Sequence, residues 1–406
     1  MKYSKEEVMQ YVAEDDVKFI RLAFCDVFGK QKNISIMPEE LGRAFEYGIA
    51  FDASSVEGFG DETHSDLFLK PNSETLMGLP WRPEHGKVVR MFSDVTYFSG
   101  KIYECDTRNL LKKAIKDAAD AGISFFFGAE QEFYLFNLDQ NGKPTREPYD
   151  DAGYMDIAPE DKGENIRREI CLTLEQMGIR PESSHHEGGP GQNEIDFRYS
   201  DPLTAADHVM TFQTIVKTVA HRNGLHADFS PKPLDNLPGN GFHINLSVKS
   251  CDGTDNLPYV IAGILDKAAE MTALLNPTEA SYRRFGHNRA PRFISWSSEN
   301  RSQLVRIPAA HGEYRRAELR SPDPTANPYL AFALLIYAGL DGIKRRLDMP
   351  NVVDFNLFKA NAELIEKLQK LPDSLEEACL LARQSDFMKE HVPAAVLDIY
   401  CNKHRQ

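Results

Sequence analysis

The stretch FFFGAEQEFYLF, residues 125–136, is where the fold becomes readable. Aromatic residues pack well on a pleated surface, so the segment reads as a strand. Residues two apart on a strand share a face, which points Glu130 and Glu132 the same way. At the strand rise their Cβ atoms lie ~7 Å apart. That spacing lets each serve a different cation of a pair ~4 Å apart. Alone, a Glu-x-Glu pair is weak evidence, because it recurs by chance among 61 acidic residues and suits a solvated edge. The phenylalanines before it and FYLF after it argue for a buried strand instead.

Outward from this strand, apolar periods alternate between two and three to four. Toward the N-terminus, 17–36 (VKFIRLAFCDVFGKQKNISI) reads as a hairpin and 87–95 (KVVRMFSDV) as a strand. A helix opens near Cys105: Asp106 is its N-cap, Leu110, Leu111, Ala114, Ile115 and Ala118 form its stripe, and Gly122 closes it. Toward the C-terminus, 164–178 places Ile166, Ile170, Leu174 and Met177 on one helical face, and a longer helix is predicted over 204–224. Strands are predicted at 241–248 and 317–321, and helices from 327 onward, one opened by a Ser374/Glu377 capping box. The pattern predicts an α+β chain with sheet-borne chemistry and helices packed outside. With 406 residues, two domains are expected, divided as 1–102 and 103–406.

Composition narrows the function. Hydrophobic residues make up 42% and charged residues 27%, ordinary for a soluble globular chain. A net charge of -14 argues against nucleic-acid and anionic-membrane partners, so a phosphate ligand must be met by local arginines or metals. The six cysteines show neither CxxC pairs nor zinc spacing, and the charged N-terminus lacks an apolar signal core. Both fit a cytoplasmic protein with reduced thiols. No run is apolar enough to span a membrane.

Two glycine loops and an arginine cluster carry the rest of the chemistry. In His185-His186-Glu187-Gly-Gly-Pro-Gly-Gln-Asn-Glu194, a flexible loop separates two carboxylates and lets backbone approach a ligand. Gly239-Asn240-Gly241 delivers His243 onto the next strand. Arg301, Arg306, Arg315, Arg316 and Arg320 fall within twenty residues and enclose Glu318. Guanidinium binds phosphate and carboxylate in a bidentate fork. Each feature alone has an ordinary structural explanation: a Gly/Pro turn, a satisfied histidine, a solvated basic surface. Together, Glu130, Glu132, Glu187, Glu194, His243 and Glu318 describe a seat for two hard cations, magnesium or manganese, beside an arginine clamp. That is a phosphoryl-transfer site in outline.

The chain resembles type I glutamine synthetases along most of its length. The resemblance rests on an ordered set of segments: FDASSVEGFG (51–60), GAEQEF (128–133), SSHHEGGPGQNEIDF (183–197) and PKPLDNLPGNGFHINLS (231–247), then NPTEASYRRFG (276–286), SSENRSQLVRIPAAHG (297–312), AELRSPDPTANPYLAF (317–332) and AGLDGIK (338–344). It implies an N-terminal β-grasp-like domain and a catalytic domain with a curved antiparallel sheet flanked by helices, of the glutamine synthetase/guanido kinase type. It also implies a homo-oligomer, a hexameric ring or stacked-ring dodecamer with shared active sites. The reaction implied is ATP-dependent joining of ammonia to glutamate through a γ-glutamyl phosphate.

Residue by residue, the resemblance puts Glu132, Glu187 and Glu194 on one metal and Glu130, His243 and Glu318 on the other. It puts Gly239 and Arg284 on glutamate, and Arg301 and Arg320 on glutamate and the transferred phosphoryl group. Arg306 and Arg316 fall to the ATP phosphates, and Tyr199 and Ser247 to the nucleotide. Asp52 and Ser55 of an adjacent subunit, with Tyr154 and Glu187, would form the ammonium pocket.

Departures from the family pattern are local. The flap reads GHNRAP, one residue short, with Arg289 where the family has a glutamate that helps take the ammonium proton. Pro238 replaces an asparagine, Phe358 a regulatory tyrosine, and Asp61 an arginine linked to feedback control. The stretch 249–270 is short, and the resemblance implies a reduced C-terminal reach between rings. The alternatives to glutamine synthesis are a ligase joining glutamate to an organic amine, and a weakly catalytic regulatory paralogue.

Overall fold

Alternation decides the central strand, Ile123–Leu138. Phe125, Phe127, Ala129, Phe133 and Leu135 are buried on one face, while Glu130 and Glu132 stand half-buried on the other. The computed structural model describes residues 3–60, 63, 65–82, 85–310, 312 and 315–402; Asp61 lies outside them. The chain forms two compact units, Met1–Leu110 with Gln176–Gly178, and Leu111–Glu175 with Ile179–Gln406.

In the first unit, Val17–Cys25 and Gln31–Ile36 make the predicted hairpin, with Ile20 opposite Ile36 and Cys25 opposite Gln31. Asp26 closes its turn by accepting from the Phe28 and Lys30 amides at 3.0 and 2.8 Å. The hairpin pairs in parallel with Lys87–Thr96, which continues antiparallel to Asp66–Pro71 and then Ile49–Asp52. The helix Lys5–Glu14 starts from a complete capping box of Ser4 and Glu7.

The second unit carries a nine-stranded sheet. Its path runs from Trp296–Ser298 through Val305–Ile307, Ala317–Leu319, Phe242–Ser250, Ile123–Leu138 and Gln192–Ser200 to Pro181–His186. Pairing is antiparallel except at the edge, where Trp296–Ser298 runs parallel to Val305–Ile307. Three long helices, Pro202–Arg222, Leu257–Leu275 and Pro328–Arg345, belong to this unit. Phe332 lies flat on Phe127 at 4.4 Å, and Phe212 meets Phe133 edge-on. The second and third of these helices cross at glycines: a Cβ on Gly263 would sit 2.1 Å from the Ala338 carbonyl oxygen.

The helix stop at Gly122 appears as expected, with φ +74. The Ser374/Glu377 box forms only by half. Ser374 accepts from the Glu377 amide at 3.2 Å, but the Glu377 carboxylate accepts from the amide of Asp373 rather than Ser374.

Candidate active site

Strand register converts sequence spacing into rows of ligands. Glu130 stands directly between Asp196 and His243, and Glu132 beside Glu194. One row further, Asn245 pairs with Glu318 and Glu318 with Arg306. Glu130 accepts from Asn245 Nδ2 at 2.7 Å and lies 3.4 Å from His243 Nδ1. Burial alone would raise its pKa, but the His243 contacts, Asn245 and the Arg320 charge bring it down to about 2.

The expected glycine loops are the scaffold for the other carboxylates. Glu132 accepts from the Gly241 amide at 2.7 Å and from Gln192 Nε2 at 3.2 Å. A Cβ on Gly241 would lie 2.7 Å from His243 Nε2, and one on Gly189 2.1 Å from the Tyr134 hydroxyl, so neither position has room for a side chain. Glu187 accepts from the Gly188 amide at 2.8 Å, and His185 Nε2 stands 3.2 Å from its other oxygen.

His186 anchors this loop from behind. Its Nδ1 lies 2.7 Å from the Glu187 carbonyl oxygen and its Nε2 2.9 Å from Asp150 Oδ1. Both partners are acceptors, so a ring donating to both is an imidazolium. Burial works against that charge, but Asp150 and the carbonyl raise the ring above its usual value. Asp150 also accepts from the Gly191 and Lys162 amides at 2.8 and 3.1 Å.

The donor set suits a hard cation. Ligand atoms of Glu130, Glu194 and His243 lie within 4.8 Å of one another, as do those of His185, Glu187 and Glu194. Glu194 therefore joins two potential metal seats. Burial, and then the charges of Asp196, Glu132, Glu130 and Glu187, push its carboxyl well above the usual range. A buried carboxylate among four others calls for positive charge, which a divalent ion held by these residues would supply. Asp196, with its pKa raised to about 7 chiefly by burial and Glu130, is a carboxylate that pattern reading missed, as is the His185 contact. Both lie in the segment 183–197; only register reveals their neighbours.

Glu318 is fully buried between guanidinium groups. Arg306 Nη2 reaches its Oε2 at 2.5 Å, Arg320 Nη1 bonds its Oε1, and His243 Nδ1 is 3.9 Å away. Glu318 Oε1 keeps a further lone pair, so a cation shared with Glu130 and His243 need not displace either arginine.

A 520 Å³ cleft is lined by Glu130, Glu132, Glu187, Glu194 and His243, whereas the fully buried Glu318 is not among its lining residues. Tyr154, Gly239, Arg284, Arg301, Arg306, Arg316 and Arg320 line the cleft with the carboxylates. Arg284 is buried and donates to the carbonyls of Ser321 and Pro322 at 3.1 and 3.5 Å. Its Nε, like that of Arg320, is buried without a partner. A neighbouring 120 Å³ cavity is lined by Tyr199 and Ser247 and shares Glu130, Asp196 and Arg316 with the cleft. Arg315 also lines that cavity, but pairs with Asp255 at 2.5 Å. Asp52 and Ser55 belong to the first unit, where the Ser55 hydroxyl donates to Asp52 at 2.7 Å.

The flap is a tight turn. The Ala290 amide donates to the His287 carbonyl and the Gly286 amide to the Ala290 carbonyl, both at 2.9 Å. Asn288 and Arg289 occupy the left-handed region at φ 46 and 68. The Arg289 guanidinium lies over the Tyr154 ring, 5.2 Å from its centroid.

Comparison with known proteins assigns this architecture. Residues 16–97 match the family model described as glutamine synthetase, beta-Grasp domain, and residues 104–406 match glutamine synthetase, catalytic domain. The chain belongs to the glutamine synthetase family. A glutamine synthetase of Clostridium saccharobutylicum is 43% identical over 405 residues, covering 96% of this chain and 91% of that protein. One from Methanosarcina mazei is 43% identical over 421 residues, covering 99% and 94%.

Among solved structures, one described as a GmaS/ADP complex superposes with a TM-score of 0.87 at 28% identity, covering 97% of this chain and 93% of that one. A Plasmodium falciparum glutamine synthetase seen by cryo-electron microscopy gives 0.86 at 22% identity, covering 99% and 95%, a likeness of fold. Within the glutamine synthetase framework, the first unit is the β-grasp domain and the nine-stranded sheet carries the catalytic domain. Among the described residues, no helix is long and apolar enough to cross a membrane.

Proposed function

We propose that this cleft joins ammonia to L-glutamate with ATP through a γ-glutamyl phosphate, releasing glutamine, ADP and phosphate. The observation that carries the reading is one cleft holding both charge types: the Glu130–His243 and Glu132–Glu194 rows, and the guanidinium groups of Arg284, Arg306, Arg316 and Arg320.

Glu130, Glu132, Glu187, Glu194, His243 and Glu318 hold two divalent cations, magnesium or manganese. When bound, these ions neutralise phosphate oxygens. Arg306 and Arg316 draw the ATP phosphates toward the sheet, with Tyr199 and Ser247 beside the nucleotide. Arg284 and Gly239 orient glutamate; a Cβ on Gly239 would lie 2.4 Å from the Pro231 carbonyl oxygen and 2.8 Å from Arg284 Cγ. Arg301 and Arg320 stabilise charge on the transferred phosphoryl group. The glutamate γ-carboxylate attacks the terminal phosphorus as ADP leaves; ammonia then attacks the acyl carbon, phosphate leaves and a proton is lost.

Glu187 and Tyr154 form the amine side of the site, completed by Asp52 and Ser55 from a neighbouring subunit of a ring, hexameric or doubled. Assay of ADP and amide product with ammonia, methylamine and polyamines, under magnesium and then manganese, tests this. Glutamine formation with ammonia is expected. Product only with an organic amine would reassign the substrate, and ADP release independent of glutamate would remove the ligase reading.

A further inference from the structure

Arg289 and Tyr154 both line the cleft. The Arg289 guanidinium lies over the Tyr154 ring at 5.2 Å. His185 approaches that ring edge-on at 5.4 Å, and its Nε2 is 3.2 Å from Glu187 Oε1. The Arg289 charge also acts on Glu187. An aromatic face beside a carboxylate is a general cation receptor, indifferent to whether the cation is guanidinium or ammonium. We propose that Arg289 is a resident cation of the amine subsite, filling the Tyr154–Glu187 seat that the incoming ammonium must take. The inference rests on the amine-side assignment given above.

The flap supplies both the hold and the exit. Its turn places a non-glycine residue with a long side chain at φ 68, a conformation kept only while the surroundings enforce it. Arg289 also lines a second, 620 Å³ cavity with Asp235, Arg283 and Phe358. There the Asp235 carboxylate, bonded to Arg283 at 2.8 Å, offers a second anionic neighbour. Arg289 thus stands between two cavities. In the inner position it competes with ammonium; in the outer one it leaves the seat open. Guanidinium is larger than ammonium, so a seat that holds it has room for a small organic amine once the side chain withdraws. Arg289 thereby sets both the apparent affinity for ammonium and the tolerance for substituted amines.

Steady-state kinetics with ammonium varied at saturating ATP and glutamate test the proposal in Arg289→Ala, Arg289→Lys and the Arg289→Ala/Tyr154→Leu pair. Arg289→Ala is expected to lower the KM for ammonium roughly three- to tenfold, more than it changes kcat, with Arg289→Lys close to the parent. Low-millimolar guanidinium chloride should compete with ammonium in Arg289→Ala and much less in the parent. An unchanged or higher ammonium KM in Arg289→Ala, or equal guanidinium inhibition of both proteins, overturns the resident-cation proposal. Adding Tyr154→Leu should raise the ammonium KM again. If it does not, the amine-side assignment itself falls, whatever Arg289→Ala shows.

Discussion

On one face of the strand Ile123–Leu138, Phe127 stacks flat on Phe332 at 4.4 Å beneath close-crossing helices. On the other face, Glu130 and Glu132 stand with Glu194 and Asp196 in adjoining register. Three residues apart along one strand, Phe127 and Glu130 put the same backbone to opposite ends. The first face gains stability from every contact and has no spare room. The second collects charge that is unfavourable until cations and substrate arrive, the usual cost of a preorganised site. Substitutions should therefore separate: those that add bulk on the helix side break the fold, and those on the carboxylate side break the chemistry.

Gly263→Val should produce the largest effect. Its new Cβ would lie 2.1 Å from the Ala338 carbonyl oxygen and 2.9 Å from the Gly342 amide nitrogen, both backbone atoms that cannot step aside. A loss above about 4 kcal/mol is expected, read from denaturant or thermal unfolding. A well-folded variant with near-parent stability would show that the helix crossing is looser than described.

Glu194→Gln should do the reverse. Activity is expected to fall roughly 10²–10³-fold, because a carboxylate shared by both cation seats is lost. In protein stripped of metal, the same change should raise the melting temperature, since a neutral amide avoids the proton uptake that burial among four carboxylates imposes on this carboxyl. A lower melting temperature in EDTA would mean that Glu194 is stabilising without metal, and the contrast between the faces would fail.

The alternation of FFFGAEQEFYLF, the helix stripe at 107–120 and the two glycine loops were legible because they depend on local period and turn chemistry. The rows were not. Whether Glu130 faces Asp196, or Glu318 faces Arg306, depends on which strands become neighbours and in what register. Nothing local fixes that. The Arg167–Asp161 pair was hidden for a similar reason: Arg167 sits on the apolar stripe's side of its helix, where its buried guanidinium bonds Asp161 and, at 2.6 Å, Asn193. Arg289 was visible as a departure from the family pattern, but its place over Tyr154 came only with the folded flap.

Removing metal while varying pH sharpens the same contrast. Asp196, with a pKa of about 7, and Glu194 both hold protons more tightly when folded than when unfolded. Their protonated forms favour the native state below the unfolded carboxylate range, and that stability is lost as pH rises through the folded values. Above pH 4.5 most unfolded carboxylates are already ionised, so the raised groups dominate. EDTA-treated protein should lose roughly 3–6 °C in melting temperature between pH 5.5 and 7.5. Saturating magnesium or manganese should flatten that slope by supplying the missing positive charge. A slope unchanged by either ion would mean that the cluster does not hold the metal.

The smallest effect is expected at Gln131, the one polar residue on the helix-covered face between Phe125 and Leu135. It is fully buried, accepts from Gln213 Nε2 at 3.2 Å, and leaves its own Nε2 without a partner. Gln213 also donates to the Pro324 carbonyl at 2.9 Å, so it keeps one bond if Gln131 changes. Gln131→Leu exchanges an unsatisfied buried donor for apolar volume of similar size. The gain of removing that donor and the loss of one hydrogen bond are each about 1 kcal/mol, so the net shift should lie between neutral and about 1 kcal/mol stabilising. Glu130 and Glu132 flank the position in sequence yet point away from it, so kcat and the KM values should stay within twofold or so of the parent. A marked fall in activity with unchanged stability would show that the two faces communicate through the backbone of this strand. A marked fall in stability would instead show that Gln131 and Gln213 form a polar tie on which the helix packing depends.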